Sequence, residues 1–229
     1  SPHISSFRER IQINSKLIEK HYIVDICEFL FGLNKKHNLN LTYFEYVTLL
    51  CFIYFKEEKI DIAIMEVGLG GNLDSTNIIN PLLSIITSIG LDHLDSLGFT
   101  QHEIAQKKSG IIKKNVPCII GPDCYPKEVF IESALKNNSE LYIMTNSDKK
   151  ENNNNTNIQS SIHYEKIETS KILNEVRSEF TNNILDFEYE NKLIARYSIE
   201  IFKQKYPEFF TNKINKDKKD IFHSDNFSE

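Results

Sequence analysis

Apolar positions along this chain fall into two rhythms. From Thr42 to about residue 57, Phe44, Val47, Leu50, Cys51 and Tyr54 recur at three- and four-residue spacing, which predicts a helix with one apolar face. Thr42 stands just before it and Glu45 follows three residues later, a capping-box pattern that satisfies backbone N–H groups at a helix start. Thr100 and Glu103 repeat that pattern and open a helix predicted to reach about Lys113. Short apolar runs of strand length stand at 60–66, 82–89, 116–120 and 141–144. Residues 127–136 read as a helix, and so do 191–206, with Leu193, Ile194, Tyr197 and Ile201 on one face. Apolar strands alternating with helices predict an α/β fold, a mainly parallel sheet flanked by helices on both faces.

The rhythm stops after Thr145. Residues 146–157 hold Lys149-Lys150-Glu151 and four consecutive asparagines, Asn152 to Asn155. Such a segment has too little apolar surface to pack, so a disordered insertion is expected over 146–160. From Ile158 to Tyr189, short alternations such as Phe187 and Tyr189 suggest weak strands. The expected organisation is a core domain over 1–145, the insertion, the remainder of the same domain over 161–212, and a polar tail over 213–229.

Composition narrows the partners. Hydrophobic residues make up 40% of the 229, enough for a core. A net charge of −5, without a concentrated basic patch, disfavours nucleic acid and anionic membranes as partners. No apolar run reaches the roughly 18 residues of a membrane-spanning helix, and no signal peptide is visible at the N-terminus. Cys27, Cys51, Cys118 and Cys124 show no CxxC spacing, and the first two fall in apolar helix-like stretches. They read as reduced thiols, with no ligand cluster of the zinc-binding kind.

The densest chemistry follows the 60–66 run. Glu66-Val67-Gly68-Leu69-Gly70-Gly71-Asn72-Leu73-Asp74-Ser75-Thr76-Asn77 places a carboxylate at an expected strand end, then three glycines within four positions. Ligands of open α/β sheets sit beyond the carboxyl ends of strands, and glycine there permits sharp turns and close backbone approach. The 82–89 run ends in Gly90-Leu91-Asp92-His93, and the helix after Thr100 carries Lys107-Lys108-Ser109-Gly110-Ile111-Ile112-Lys113. The chain opens on Ser1-Pro2-His3-Ile4, followed by Phe7-Arg8-Glu9-Arg10-Ile11, and Thr42-Tyr43-Phe44-Glu45 lies between.

In this order the motifs closely resemble the folylpolyglutamate synthase and dihydrofolate synthase family, a branch of the Mur ligases. The likeness is dense from Ser1 to about Gly121 and returns weakly at 191–200. It implies a Mur-type central ATPase domain, incomplete at both ends. The activity implied is ATP-dependent joining of L-glutamate to dihydropteroate or to a folyl-polyglutamate through an acyl phosphate, with Mg2+ as cofactor and ATP as co-substrate. It implies a monomer in the cytoplasm, a mitochondrial form remaining open.

The resemblance also assigns residues. Glu66 corresponds to a magnesium-ligating glutamate, His93 to a second-metal histidine that Asp92 would orient, and Ser1 to a hydroxyl ligand of the first magnesium. Lys108 corresponds to a lysine carried as a carbamate, although the acid usual before it is here Lys107. Thr42, Tyr43, Phe44 and Leu73 correspond to the pterin pocket, and Arg8, Glu9 and Arg10 to a loop near the folate or to a solvated turn. Asp74 and Asn77 would brace the glycine loop. Asn72 replaces a common arginine, and Asn191 and Asp95 carry no role. No G-x-x-x-x-G-K-S/T phosphate loop occurs in the chain. The family's phosphate loop would precede Ser1 and its C-terminal domain would follow Glu229, so the chain reads as a central piece expected to be inactive alone. A different Mur-type ligase, or a non-catalytic chain binding folate or a partner, are the alternatives.

Overall fold

The structure, a computed structural model, describes residues 3–144, 166–167 and 186–211. The chain divides into two compact units, Ser1–Ile79 and Asn80–Glu229, each with its own core.

The first unit begins with a 3-10 turn, Phe7–Arg10, and a hairpin of β1 (Gln12–Ile13) and β2 (Lys16–Leu17), paired antiparallel. Asn14 and Ser15 join the strands at φ 51° and 62°. Two positive φ values in a two-residue loop match the right-handed twist of a hairpin. Helices α1 (Lys20–His37) and α2 (Tyr43–Glu57) follow. α2 starts where its capping box predicts: the Thr42 hydroxyl accepts from the Glu45 amide, and the Glu45 carboxylate accepts from the Thr42 amide at 2.7 Å. Val47, Leu50, Cys51 and Tyr54 of α2 pack with Ile26 and Leu30 of α1, and with Ile11 and Ile18 around the hairpin. α1 ends on Asn38 at φ 49°, a left-handed cap that asparagine tolerates.

The strand predicted over 60–66 is absent. Residues 62–67 join no strand among the described residues; Ile64 is 95% exposed and Ile62 50%. An apolar run becomes a strand only when another backbone takes its N–H and C=O groups, and no described strand does so here.

The second unit contains β3 (Ser84–Ser88), α3 (Leu94–Leu97), α4 (Gln101–Ser109), β4 (Cys118–Asp123), α5 (Lys127–Lys136), β5 (Leu141–Met144), β6 (Lys166–Ile167), α6 (Asp186–Lys205) and α7 (Glu208–Thr211). The four strands form one sheet in the order β3-β4-β5-β6, every pair parallel. Successive side chains of a strand point to opposite faces, and the two faces have different covers. Ile86, Cys118, Ile120 and Leu141 pack with Ile104 and Ala105 of α4 and with Phe130 and Ala134 of α5. Ile119, Tyr142 and Met144 pack with Leu193, Ile194, Tyr197 and Ile201 of α6. This is the helix-flanked parallel sheet that the pattern predicts.

Two helix boundaries differ from expectation. α4 stops at Ser109, because Gly110, a poor helix former, takes the cap and the next amides turn back to Lys108 and Ser109 carbonyls. α6 begins at Asp186, so Phe187 and Tyr189 are helical and not in strands. The expected insertion over 146–160 and the tail over 213–229 lie outside the described residues.

All four cysteines are free thiols. Burial pushes the Cys51 thiol up to about 11 and Cys124 to about 12, and raises Cys118 as well. The three buried thiols are therefore held protonated and unreactive at neutral pH.

Candidate functional site

The glycine-rich loop is organised by one carboxylate. Asp74 Oδ2 accepts from the Gly68 amide at 3.0 Å and the Leu69 amide at 2.9 Å, while its Oδ1 accepts from the Thr76 amide at 2.9 Å. Asn77 Nδ2 donates to the Asn72 carbonyl at 3.0 Å. Asp74 and Asn77 thus brace the loop, as expected. Gly70 stands at φ 70°, where a side chain would be strained. At Gly68 the reason for glycine is a close approach: a Cβ there would lie 2.5 Å from the Phe44 ring. A further tie comes from Ser75, whose hydroxyl is 2.7 Å from the Thr48 hydroxyl of α2.

Around this loop the assigned residues differ in their surroundings. Thr42 is used as the α2 cap. Tyr43 is 62% exposed and meets Phe7 edge-on, with centroids 6.3 Å apart. Phe44 packs on Gly68, and Leu73 is 87% exposed. Tyr43 and Leu73 therefore offer apolar surface that no core absorbs, as a flat heterocycle would need. Glu66 is exposed and does not stand at the end of a described strand, unlike the strand end expected for it. Ser1 lies outside the described residues.

Arg8 and Glu9 have structural work as well. The Arg8 guanidinium donates to the Ile18 carbonyl and so ties the 3-10 turn to the hairpin. The Glu9 carboxylate accepts from the amides of Ile4 (2.7 Å), Ser5 (3.1 Å) and Ser6 (2.7 Å) and from the Ser5 hydroxyl (2.9 Å). Arg10 Nε donates to His3 Nδ1 at 2.9 Å. The Ile4 amide first, then the Ser5 hydroxyl and the Ser6 amide, hold the Glu9 carboxyl down at about 2, from an ordinary value of 4.5. A depressed carboxyl stabilises the loop above its unfolded pKa, and that stabilisation disappears as pH falls through the folded value. The loop at 4–6 should therefore open between about pH 4.5 and 2. Amide exchange at Ile4 and Ser6 reports this; loss of protection already at pH 6 would contradict it.

In the second unit, the assigned residues gather at the carboxyl end of β3. Lys108, half-buried in the last turn of α4, donates from Nζ to the Ser88 carbonyl at 3.3 Å. Ser88 ends β3, and Gly90-Leu91-Asp92-His93 follows it directly. His93 is exposed and left-handed at φ 50° and ψ 41°; its carbonyl accepts from the Ser96 and Leu97 amides at 2.9 Å. A left-handed non-glycine residue costs energy, histidine among the less costly, and such positions cluster at functional sites. No hydrogen bond joins Asp92 to the His93 ring, so the orienting role expected of Asp92 is not seen. Lys108 is half-buried and its amine is hydrogen-bonded, and burial favours the neutral form of an amine that carbamylation needs.

The donor chemistry fits magnesium in part. Glu66 offers hard oxygens, as Mg2+ prefers, and His93 offers an imidazole nitrogen. Among the described residues, no three of His, Cys, Asp or Glu gather as a cation site. No described helix is long and apolar enough to cross a membrane.

The Mur ligase middle domain family model matches residues 12–200. The chain is 45% identical over 130 residues to a dihydrofolate synthase/folylpolyglutamate synthase of Buchnera aphidicola from Schizaphis graminum, covering 56% of this chain and 30% of that protein. It is 39% identical over 126 residues to the folylpolyglutamate synthase of Lacticaseibacillus casei, covering 53% and 29%. A solved folylpolyglutamate synthase in complex with AMPPCP and folate superposes with a TM-score of 0.58 at 36% identity, over 63% of this chain and 37% of the other. The chain thus spans about a third of the length of the curated relatives it matches. With a parallel sheet, a braced glycine loop and a lysine at a strand's carboxyl end in place, the chain belongs to the Mur ligase middle domain family, and its relatives there are folylpolyglutamate and dihydrofolate synthases.

Proposed function

We propose that these residues supply the pterin-facing and part of the metal-binding portion of an ATP-dependent ligase that joins L-glutamate to dihydropteroate or to a folyl-polyglutamate. The observation that carries this reading is the loop 66–77, braced by Asp74 and packed through Gly68 on Phe44, beside the exposed Tyr43 and Leu73. The AMPPCP and folate in the solved relative support the two substrates.

The reaction has two balanced steps. The γ-phosphoryl group of ATP passes to a carboxylate oxygen of the pterin substrate and ADP leaves. The glutamate amine then bonds to the acyl carbon, inorganic phosphate leaves, and the amine gives up a proton. Two anions must meet in the first step, so positive charge is needed between them. Mg2+ would supply it, with Glu66 as a donor to one ion and His93 as a donor to a second. Lys108 would serve as a carbamate: the ammonium gives up one proton, CO2 bonds to the neutral Nζ, a second proton departs, and a carboxylate stands where a cation was. Tyr43, Phe44 and Leu73 would hold the heterocycle and exclude water from it.

Two measurements test the proposal. Equilibrium dialysis of the chain with dihydropteroate and with tetrahydrofolate should detect binding of at least one. Tyr43→Ala should weaken it about tenfold, the loss of one aromatic contact of about 1.4 kcal/mol. Binding of neither ligand, or binding indifferent to Tyr43→Ala, sinks the assignment. In the second, ATP, Mg2+, glutamate and either pterin substrate are added to the 229 residues; no glutamylated product is expected, because they contain no phosphate loop. Turnover would overturn that part of the reading.

A further inference from the structure

β3 and β4 do not keep one register to their ends. Ser84, Ile85 and Ile86 pair with Cys118, Ile119 and Ile120, but the next pair is Ser88 with Asp123. β3 advances by two residues while β4 advances by three, so the extra residue falls within Gly121-Pro122. Both residue types suit a bulge: proline has no N–H for the ladder, and glycine admits a close backbone. A Cβ on Gly121 would lie 1.9 Å from the Thr87 carbonyl oxygen and 3.0 Å from Ile194 Cδ1. The first obstacle is backbone, which cannot rotate aside as a side-chain tip can. The next carbonyl along, that of Ser88, is the one that accepts from Lys108 Nζ. Pairing then resumes, with the Ile89 amide donating to the Asp123 carbonyl at 3.2 Å, and the loop to His93 departs from there.

We propose that the Gly121-Pro122 bulge is a positioning element for Lys108. The bare α-carbon of residue 121 sets the Thr87 carbonyl, the Thr87 peptide sets the Ser88 carbonyl, and the Ser88 carbonyl sets the Lys108 nitrogen. The proposal rests on the ligase reading, in which that nitrogen carries a carboxylate whose direction matters. A carbamate nitrogen keeps one N–H, so the same hydrogen bond would fix where its carboxylate points. Gly121 touches no reacting atom and acts only through Ser88.

The test uses the intact chain and reads lysine acylation by a limiting amine-reactive ester, site by site, by mass spectrometry. Lys108 should label roughly tenfold more slowly than its exposed neighbour Lys107, as expected for a contact that must open first. In Gly121→Ala, Lys108 should label about as fast as Lys107, while labelling of Lys127 and Lys136 and the far-UV circular dichroism stay unchanged. Adding Ile194→Ala to Gly121→Ala removes side-chain crowding but leaves the carbonyl clash. Continued fast labelling in this double variant supports the proposal, and restored protection overturns it. Unchanged protection in Gly121→Ala also overturns it. If Gly121→Ala does not fold, Pro122→Gly, which adds no atom, is read instead: labelling of Lys108 should rise about twofold, and no rise overturns the proposal. A 13C-bicarbonate NMR spectrum of the wild-type chain separates the two claims. A carbamate signal that Lys108→Met abolishes supports the ligase reading of Lys108; its absence defeats that reading, while the labelling still decides on the bulge.

Discussion

Truncating Phe130 to alanine should cost the Asn80–Glu229 unit about 3–5 kcal/mol, the usual penalty for emptying a buried aromatic site. Phe130 has no exposed surface and stands on α5, packed among the residues that cover one face of the sheet. Its neighbours in that core, Ile104, Ala105, Cys118, Ile120 and Ala134, are themselves fully buried and belong to rigid elements, so the cavity cannot collapse cheaply. Against a total stability of about 5–15 kcal/mol, such a loss takes a large share. Urea unfolding is the measurement: the midpoint should fall with the slope nearly unchanged. A loss below about 1 kcal/mol would mean that α5 packs on the sheet less tightly than described.

Asp74→Ala should be the most damaging single change to the first unit's loop. It removes the acceptor of three backbone amides, those of Gly68, Leu69 and Thr76. Hydrogen bonds to a charged acceptor contribute about 1.5–3 kcal/mol; the amides of the exposed Gly68 and Leu69 regain water while that of the buried Thr76 does not, so a net cost of about 2 kcal/mol is expected. Asp74→Asn keeps one carbonyl acceptor and should recover part of it. Amide exchange separates this effect from global unfolding. Protection at Gly68 and Leu69 should collapse in Asp74→Ala, while Leu50, in the core of the same unit, keeps its protection. Equal loss at all three would show a general melting and refute the bracing role. Under the proposed function, pterin binding should weaken in the same order, with alanine below asparagine.

The second unit was the more legible in sequence, for a physical reason. β5 and α5 fall on the residues that the pattern marks, and β3 and β4 overlap theirs, because continuous apolar runs bounded by polar turns have few alternatives. The caps at Thr42 and Thr100 were legible because a hydroxyl and a carboxylate three residues apart act locally. The 60–66 run misled because apolar content marks a segment that wants burial, whereas a strand needs a partner, which lies elsewhere in the chain. α1 gave a weak signal. Glu19 supplies no capping side chain, and Val24, Phe29 and Phe31 leave apolar groups on its exposed side, which blurs the single stripe of an amphipathic helix. The bulge at Gly121-Pro122 could have been suspected from the glycine–proline pair inside an apolar strand. One hydrogen bond of Glu9 was legible as well, since Ser6 and Glu9 stand three residues apart in the same capping-box pattern, whereas those to the Ile4 and Ser5 amides leave no mark in residue types.

The left-handed backbone at His93 decides how that residue should be probed. Alanine scanning would change two things at once there, the imidazole and the ease with which residue 93 holds φ 50°. Any loss in His93→Ala would mix chemistry with backbone cost. Asparagine, which adopts that conformation readily, deletes the imidazole while keeping the loop's shape, and glycine errs in the opposite direction by relaxing it. A comparison of His93→Asn with His93→Ala therefore measures the backbone contribution as a quantity of its own, and only the asparagine variant reports on the missing nitrogen donor.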